Sequence, residues 1–222
     1  AMGYVRNVVR SFGVVHVHGC TPNLIPHIKT ALNEGVRVVV TLHGLNSFSS
    51  FTKASDLTKK SEREIFGLAK SFQNLHITVL TPAAKEMILP WVGKARSQVH
   101  VIPNFLREAG FPAKYKANGA VSRCNDGKRV VLYVGNVSKQ KNQESFLRAI
   151  LENHDDLVGD YRFIFVGELC YELSLEGLEH AITEGFIDFR GHIARREVQD
   201  LYRKADLTVL LSRAEGFGMS VI

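Results

Sequence analysis

Short β-branched runs alternate with longer stretches of helical periodicity from one end of this chain to the other, and that alternation constrains the fold more than anything else in the sequence. The runs fall at 14–18, 37–42, 76–80, 98–102, 129–134, 162–166, 187–190 and 207–211. Between them the spacing predicts helices at about 22–33, 59–71, 82–91, 143–153, 173–184 and 194–205. Strand, helix, strand in this order is the signature of parallel sheets with helical crossovers, so the fold class is α/β. Gly35 and Gly185 stand where C-caps belong, and Asn142 stands where an N-cap belongs.

One stretch breaks the rhythm. Residues 104–128 lack strong periodicity and are punctuated by Gly110, Pro112, Asn118, Gly119, Asn125 and Gly127, which reads as an interdomain connection. The expected organisation is a first α/β domain over 4–105, a linker over 106–127 and a second α/β domain over 128–222. Ala1-Met2-Gly3 reads as a tag remnant and a start residue and is set aside. No solenoid-length repeat and no low-complexity segment is present.

Composition narrows the class. With 222 residues, 45% of them apolar, the chain can bury two small cores. No run approaches the roughly 18 apolar residues of a spanning helix, and the start lacks the order of an export signal. Cys20, Cys124 and Cys170 are odd in number and far apart, which argues against a disulfide framework and a thiolate zinc site and fits a reducing cytoplasm. The 28 Lys and Arg exceed the 22 Asp and Glu, a net charge of +6 that suits anionic partners: nucleotides, nucleic acid or an acidic lipid surface. The basic pairs are dispersed on predicted helices, where a solvated face is the default. Neither aromatic-rich basic strands nor a recognition helix is present, so nucleic acid drops out.

Parallel sheets place ligand chemistry in the loops beyond the carboxyl ends of their strands. His16 and His18 share a strand face, but no third ligand with suitable spacing accompanies them, so they read as hydrogen-bonded histidines and no metal is assigned. His43 follows an apolar strand beside Gly44, and alone reads equally as a polar loop residue or a site residue. Gly135 and Asn136 follow another strand, with Lys139, Lys141 and Asn142 leading into a helix, a turn suited to phosphate. That turn has neither the Walker pattern nor the three-glycine dinucleotide fingerprint, which argues against an ATPase and a dehydrogenase. Finally, the run from Asp206 reads as a buried strand leading into Arg213-Ala214-Glu215-Gly216-Phe217-Gly218-Met219, where amides can face a diphosphate and Glu215 can accept from sugar hydroxyls. The Lys141 and Glu215 turns are expected to converge on one pocket sized for a sugar diphosphate.

In the order and spacing of these motifs the chain resembles the group 1 (family 4) glycosyltransferases, and the likeness runs along nearly its whole length. It rests on His16-Val17-His18-Gly19, Leu42-His43-Gly44, Val101-Ile102-Pro103-Asn104, Gly135 with Lys141-Asn142, Phe165-Val166-Gly167, Arg190-Gly191-His192 and the segment from Asp206 to Gly218. The resemblance implies two Rossmann-like domains (GT-B) and transfer of a sugar, with retention and without metal or other cofactor, from a UDP- or GDP-sugar to a glycan or lipid-linked acceptor. It implies that Lys141 binds the donor diphosphate with Gly135 and Asn136, and that Phe217, Gly218 and Met219 turn their amides to the sugar or phosphate. It gives Glu215 the first place in the family's Glu, seven residues, Glu signature, puts His43 near the reacting centre, and lays Gly167, Arg190, Gly191 and His192 around the nucleoside. Bacterial relatives build envelope polysaccharide, so a cytoplasmic enzyme, with peripheral association at the inner face of the membrane, is compatible with the resemblance.

Three departures from the family pattern stand out. Asn136 replaces an arginine and removes a bidentate cationic contact; Phe105 replaces a glycine after Asn104; and the chain ends at Ile222, one residue before the second signature glutamate. The family's first strand and glycine-rich loop would precede Val14, so both domains are expected to be incomplete. A nucleotide-binding fragment or interaction module without activity, and a GT-B-fold UDP-sugar epimerase, are the competing readings.

Overall fold

The computed structural model describes residues 7–8, 10–51, 54–105 and 127–218. They fall into two compact units, the residues up to 105 together with Glu215–Phe217, and residues 127–214 together with Gly218. The expected linker lies outside the described residues except for Gly127, and Met219 lies outside them as well.

The first unit runs β1 (Val14–His18), α1 (Ile25–Asn33), β2 (Arg37–Leu42), a 3-10 turn (Asn46–Phe48), α2 (Asp56–Ser71), β3 (Leu75–Val79), α3 (Pro82–Val92), a second 3-10 turn (Gly93–Gln98) and β4 (Val99–Val101). Its strands form one parallel sheet in the order β1-β2-β3-β4, with Val15 opposite Val38, Val40 opposite Ile77 and Val79 opposite Val101. The order never reverses, so right-handed crossovers carry α1, α2 and α3 to the same face. That face holds one core, in which Val38, Val40, Ile77 and Val79 meet Ile28 and Ala31, Ile65 and Phe66, and Ile88 and Val92. Each fully buried aliphatic side chain contributes about 1.5–3 kcal/mol. The strand alternation sends His16, His18, Thr41, His76, Thr78 and His100 to the other face.

Local chemistry sets the helix starts. The Ser55 hydroxyl accepts from the Thr58 amide with Asp56 in the first turn, which begins α2 three residues before the expected position. Thr81 caps α3 ahead of Pro82, whose missing N–H is an orphan there in any case.

The second unit runs β5 (Arg129–Val134), α4 (Gln143–Glu152), α5 (His154–Leu157), β6 (Tyr161–Val166), α6 (Leu178–Thr183), β7 (Ile187–Phe189), α7 (Arg195–Lys204) and β8 (Leu207–Thr208). The parallel order is β7-β6-β5-β8: the chain steps outward from β5 to β7, then returns to the far side of β5. The reversal puts α7 on the face opposite α4 and α6. Two clusters result. Val131, Tyr133, Phe163 and Phe165 pack with Leu147, Ile150, Leu178 and Ala181, while Val130, Leu132, Ile164 and Val166 pack with Val198, Leu201 and Tyr202. Burial on both faces is why β5 and β6 read as continuous apolar runs.

All eight expected strands occur, giving two parallel α/β sheets of four strands each among the described residues. Two expectations need correction. The helix expected over 173–184 starts only at Leu178, behind Gly177 in the left-handed region at φ 79°. The strand expected to be buried over 207–211 is an exposed edge pair, Leu207–Thr208, with Leu207 55% exposed.

Candidate active site

In an open parallel sheet a crevice forms where strand order reverses, and here that is between β5 and β8. The turn leaving β5 is held in shape by a buried glutamine. Gln143, fully buried, donates through Nε2 to the carbonyls of Gly135 (3.0 Å) and Asn136 (3.1 Å), and its Oε1 accepts from the Ser138 amide at 3.2 Å. Gly135 has φ 149° and Gly167 has φ 136°. A Cβ on Gly167 would fall 2.5 Å from the Gly135 carbonyl carbon and oxygen and 2.7 Å from the Asn136 nitrogen, so only glycine lets the loops after β5 and β6 meet. The Asn136 side-chain oxygen accepts from the Glu168 amide at 3.1 Å and adds to that junction.

The Lys141 stem lies over Gly135, its carbons 3.7–3.9 Å from where a Cβ would stand. Asn142 precedes α4 as expected but does not cap it. It sits in the left-handed region at φ 61°, and its side-chain oxygen accepts from the Ser145 hydroxyl (2.8 Å) and Arg213 Nε (3.0 Å). Gln143 already serves the turn that capping would otherwise stabilise.

The turn leaving β8 is laced to this one. Asp206 Oδ2 accepts from the Val130 amide at 2.7 Å, and the Val209 amide donates to Leu132 at 2.9 Å, which aligns β8 beside β5. The Tyr133 side chain then ends the ladder: its hydroxyl donates to the Lys141 carbonyl and accepts from the Leu211 amide at 3.0 Å. This diversion explains why β8 stops at Thr208. The Arg213 amide donates to Gln140 (2.8 Å), and Gln140 Nε2 donates to the Ala214 carbonyl (3.0 Å). Up to Ala214, therefore, the turn that precedes Glu215 and the turn that bears Lys141 form one hydrogen-bonded structure.

The residues expected around a nucleoside gather at the ends of β6 and β7. The Gly167 amide donates to the Gly191 carbonyl at 2.8 Å, and the Arg190 amide to Phe165 at 2.9 Å. The Arg190 guanidinium is paired with Asp188 at 2.7 Å, and His192 is exposed beside it in sequence.

In the first unit His43 follows β2 and is exposed, with its Nε2 3.0 Å from His18 Nδ1. The His16 ring packs on His18 with centroids 4.2 Å apart, and His16 Nε2 bonds the Thr41 hydroxyl at 2.8 Å, which in turn bonds Thr78. Burial, then His18 and His43, hold the His16 imidazole below its ordinary pKa. Glu62, 1% exposed, accepts from the Asn46 and Ser47 amides and fixes the loop beyond Gly44. Within this unit the Gly216 backbone packs against His43, and a Cβ on it would fall 1.9 Å from the His43 carbonyl oxygen. Among the described residues no group of three or more His, Cys, Asp or Glu is arranged to hold a metal ion, and no helix is long and apolar enough to cross a membrane.

Sequence reasoning passed over Gln143, Tyr133, Gln140, Glu62 and the pairing of His18. Only the polar Gln143 and Gln140 flanking Lys141 offered a local signal.

A family model described as glycosyltransferase family 4 matches residues 1–108, and one described as glycosyl transferases group 1 matches residues 116–222. The chain belongs to the group 1, family 4 glycosyltransferases. The chain is 25% identical over 162 residues to a glycosyltransferase of Methanocaldococcus jannaschii, across 67% of this chain and 39% of that protein. Among solved structures, TarM superimposes with a TM-score of 0.70 at 17% identity, over 99% of this chain and 40% of TarM. The pneumococcal O-GlcNAc transferase GtfA, solved with UDP and GlcNAc, gives a TM-score of 0.65 at 16% identity, over 99% of this chain and 42% of GtfA. The fold of the chain is thus GT-B, and the chain spans about two fifths of the length of each of these proteins.

Proposed function

We propose that this glycosyltransferase takes its sugar from a UDP- or GDP-linked donor and passes it, with retention and without a metal ion, to a glycan or lipid-linked acceptor. The observation that carries the reading is the lacing of the Lys141 turn to the turn that precedes Glu215 at the strand-order reversal of the second unit. Breaking the bond between sugar and diphosphate builds negative charge on the leaving group, and a lysine and amide dipoles held in advance of the reaction stabilise it. In this reading Lys141 meets the diphosphate with Gly135 and Asn136, and the amides of Phe217, Gly218 and Met219 complete the cradle. Gly167, Arg190, Gly191 and His192 line the nucleoside, Glu215 accepts from sugar hydroxyls, and His43 stands near the reacting centre. The positive charge comes from side chain and backbone, which is why no divalent ion is required. A structural neighbour solved with UDP and GlcNAc supports a UDP-sugar as the first donor to try.

Calorimetric titration of the chain with UDP, GDP and ADP in chelator tests the reading. Binding of UDP or GDP is expected, and Lys141→Ala should weaken it roughly tenfold to a hundredfold, the loss of a charge-assisted bond worth about 1.5–3 kcal/mol. If none of the three binds, or if binding requires added magnesium, the proposed donor chemistry is wrong.

A further inference from the structure

We propose that His18 is a positioning residue for His43, donating its Nδ1 hydrogen to His43 Nε2 and so fixing the His43 proton on Nδ1, the nitrogen on which an oxygen-rich ligand is met. Two neutral imidazoles joined nitrogen to nitrogen share one hydrogen, so one ring must donate and the other accept. The bond made by one nitrogen of a histidine sets the role of the other. Here the joined atoms are His18 Nδ1 and His43 Nε2, 3.0 Å apart, with the rings nearly parallel at 22°.

His18 is itself held. The His16 ring lies 4.2 Å from it, centroid to centroid, and His16 is anchored through Nε2 to Thr41 and onward to Thr78. His16 and His18 on β1, Thr41 on β2 and Thr78 on β3 share the strand face turned away from the helical core, with His18, Thr41 and Thr78 at equivalent heights on adjacent strands. The register places His18 opposite Thr41, two residues before His43, which brings the two imidazoles within reach across the β1–β2 edge. A phosphate oxygen presents only lone pairs, and a nitrogen that carries a proton is the partner it needs. A His43 that turned its proton toward His18 would offer a lone pair to a lone pair.

The inference rests on the reading of His43 as a residue near the reacting sugar, but its test does not require turnover. Long-range nitrogen–proton correlation spectra of the ligand-free chain, labelled with nitrogen-15, report the tautomer of each histidine. The expected result is His43 protonated on Nδ1, against the Nε2-protonated form that a solvated imidazole prefers. His18→Phe keeps a ring against His16 and removes the donor, so His43 should revert to the Nε2-protonated form. His18→Gln restores a donor and should restore the Nδ1-protonated form. A wild-type His43 carrying its proton on Nε2, or a tautomer unmoved by His18→Phe, overturns the proposal. If His18→Phe does not fold, the wild-type spectrum and His18→Gln decide it. Absence of nucleotide binding with the tautomer as expected would defeat the proposed function and leave the pairing standing.

Discussion

Asn142 Oδ1 accepts a hydrogen bond from Arg213 Nε at 3.0 Å, joining the turn that bears Lys141 to the turn before Glu215 across 71 residues of chain. Asn142 is the one non-glycine residue in the left-handed region among those described, at φ 61°. The left-handed conformation costs an ordinary L-residue about 1–2 kcal/mol, and asparagine is among the few that adopt it readily. Asn142→Ala should therefore destabilise the second unit by about 1–2 kcal/mol, and Asn142→Gly by less, in urea unfolding. An alanine variant as stable as the glycine variant would mean that the turn does not hold this backbone conformation.

Tyr133 is 1% exposed, and its hydroxyl serves the Lys141 carbonyl and the Leu211 amide together. Tyr133→Phe keeps the ring packing and leaves both backbone groups short of a partner. Unfolding measurements should show a loss of about 1–3 kcal/mol, the penalty for an unmade buried hydrogen bond. Nucleotide affinity should fall with it, because the link that holds the Lys141 turn is gone. A variant that keeps wild-type affinity would separate that link from binding.

Gly167 has no room for a methyl group and a φ of 136° that side chains rarely adopt. Gly167→Ala must push the Gly135 backbone aside, a combination of overpacking and strain that should remove about 3 kcal/mol or more from the second unit. Circular dichroism and urea melts check this.

His154, between α4 and the end of α6, bonds Glu184 and Asp155, and those partners, Glu184 first, raise its pKa above the ordinary 6.5. A raised folded pKa means the folded state holds the proton more tightly than the unfolded one. The stabilisation is then fully present below pH 6.5 and is lost as pH rises through the folded pKa. The difference in melting temperature between wild type and His154→Gln should shrink over that rise. A difference that grows with pH would reverse the assignment.

Much of the fold was legible before any coordinate because its causes are local. Runs such as Val130 to Tyr133 and Phe163 to Val166 are apolar at successive positions because helices cover both faces of their strands, and that leaves a readable trace. Gly35 and Gly185 take positive φ at helix ends, which a side chain would resist, so those boundaries were legible too. The strand ends bearing His43, Gly135, Gly167 and Arg190 followed from the same alternation, and with them the candidate loops.

What remained invisible depended on which strands become neighbours. The run 207–211 has the composition of a buried strand, yet it becomes an edge cut short, because the reversed order β7-β6-β5-β8 sets it beside β5, where Tyr133 takes the Leu211 amide. Asn142 reads as a cap by composition, but Gln143 and Arg213 take over the polar groups around it. His18 and His43 lie 25 residues apart, and nothing in either neighbourhood announces that their rings meet. The sequence by itself determined the order and type of the elements and most of the residues that face a core, since periodicity and glycine placement act over a few residues. Only the tertiary structure decided the partners of Tyr133, Gln143, Arg213 and His18, because a hydrogen bond between distant segments exists only once the sheet order has brought their ends together.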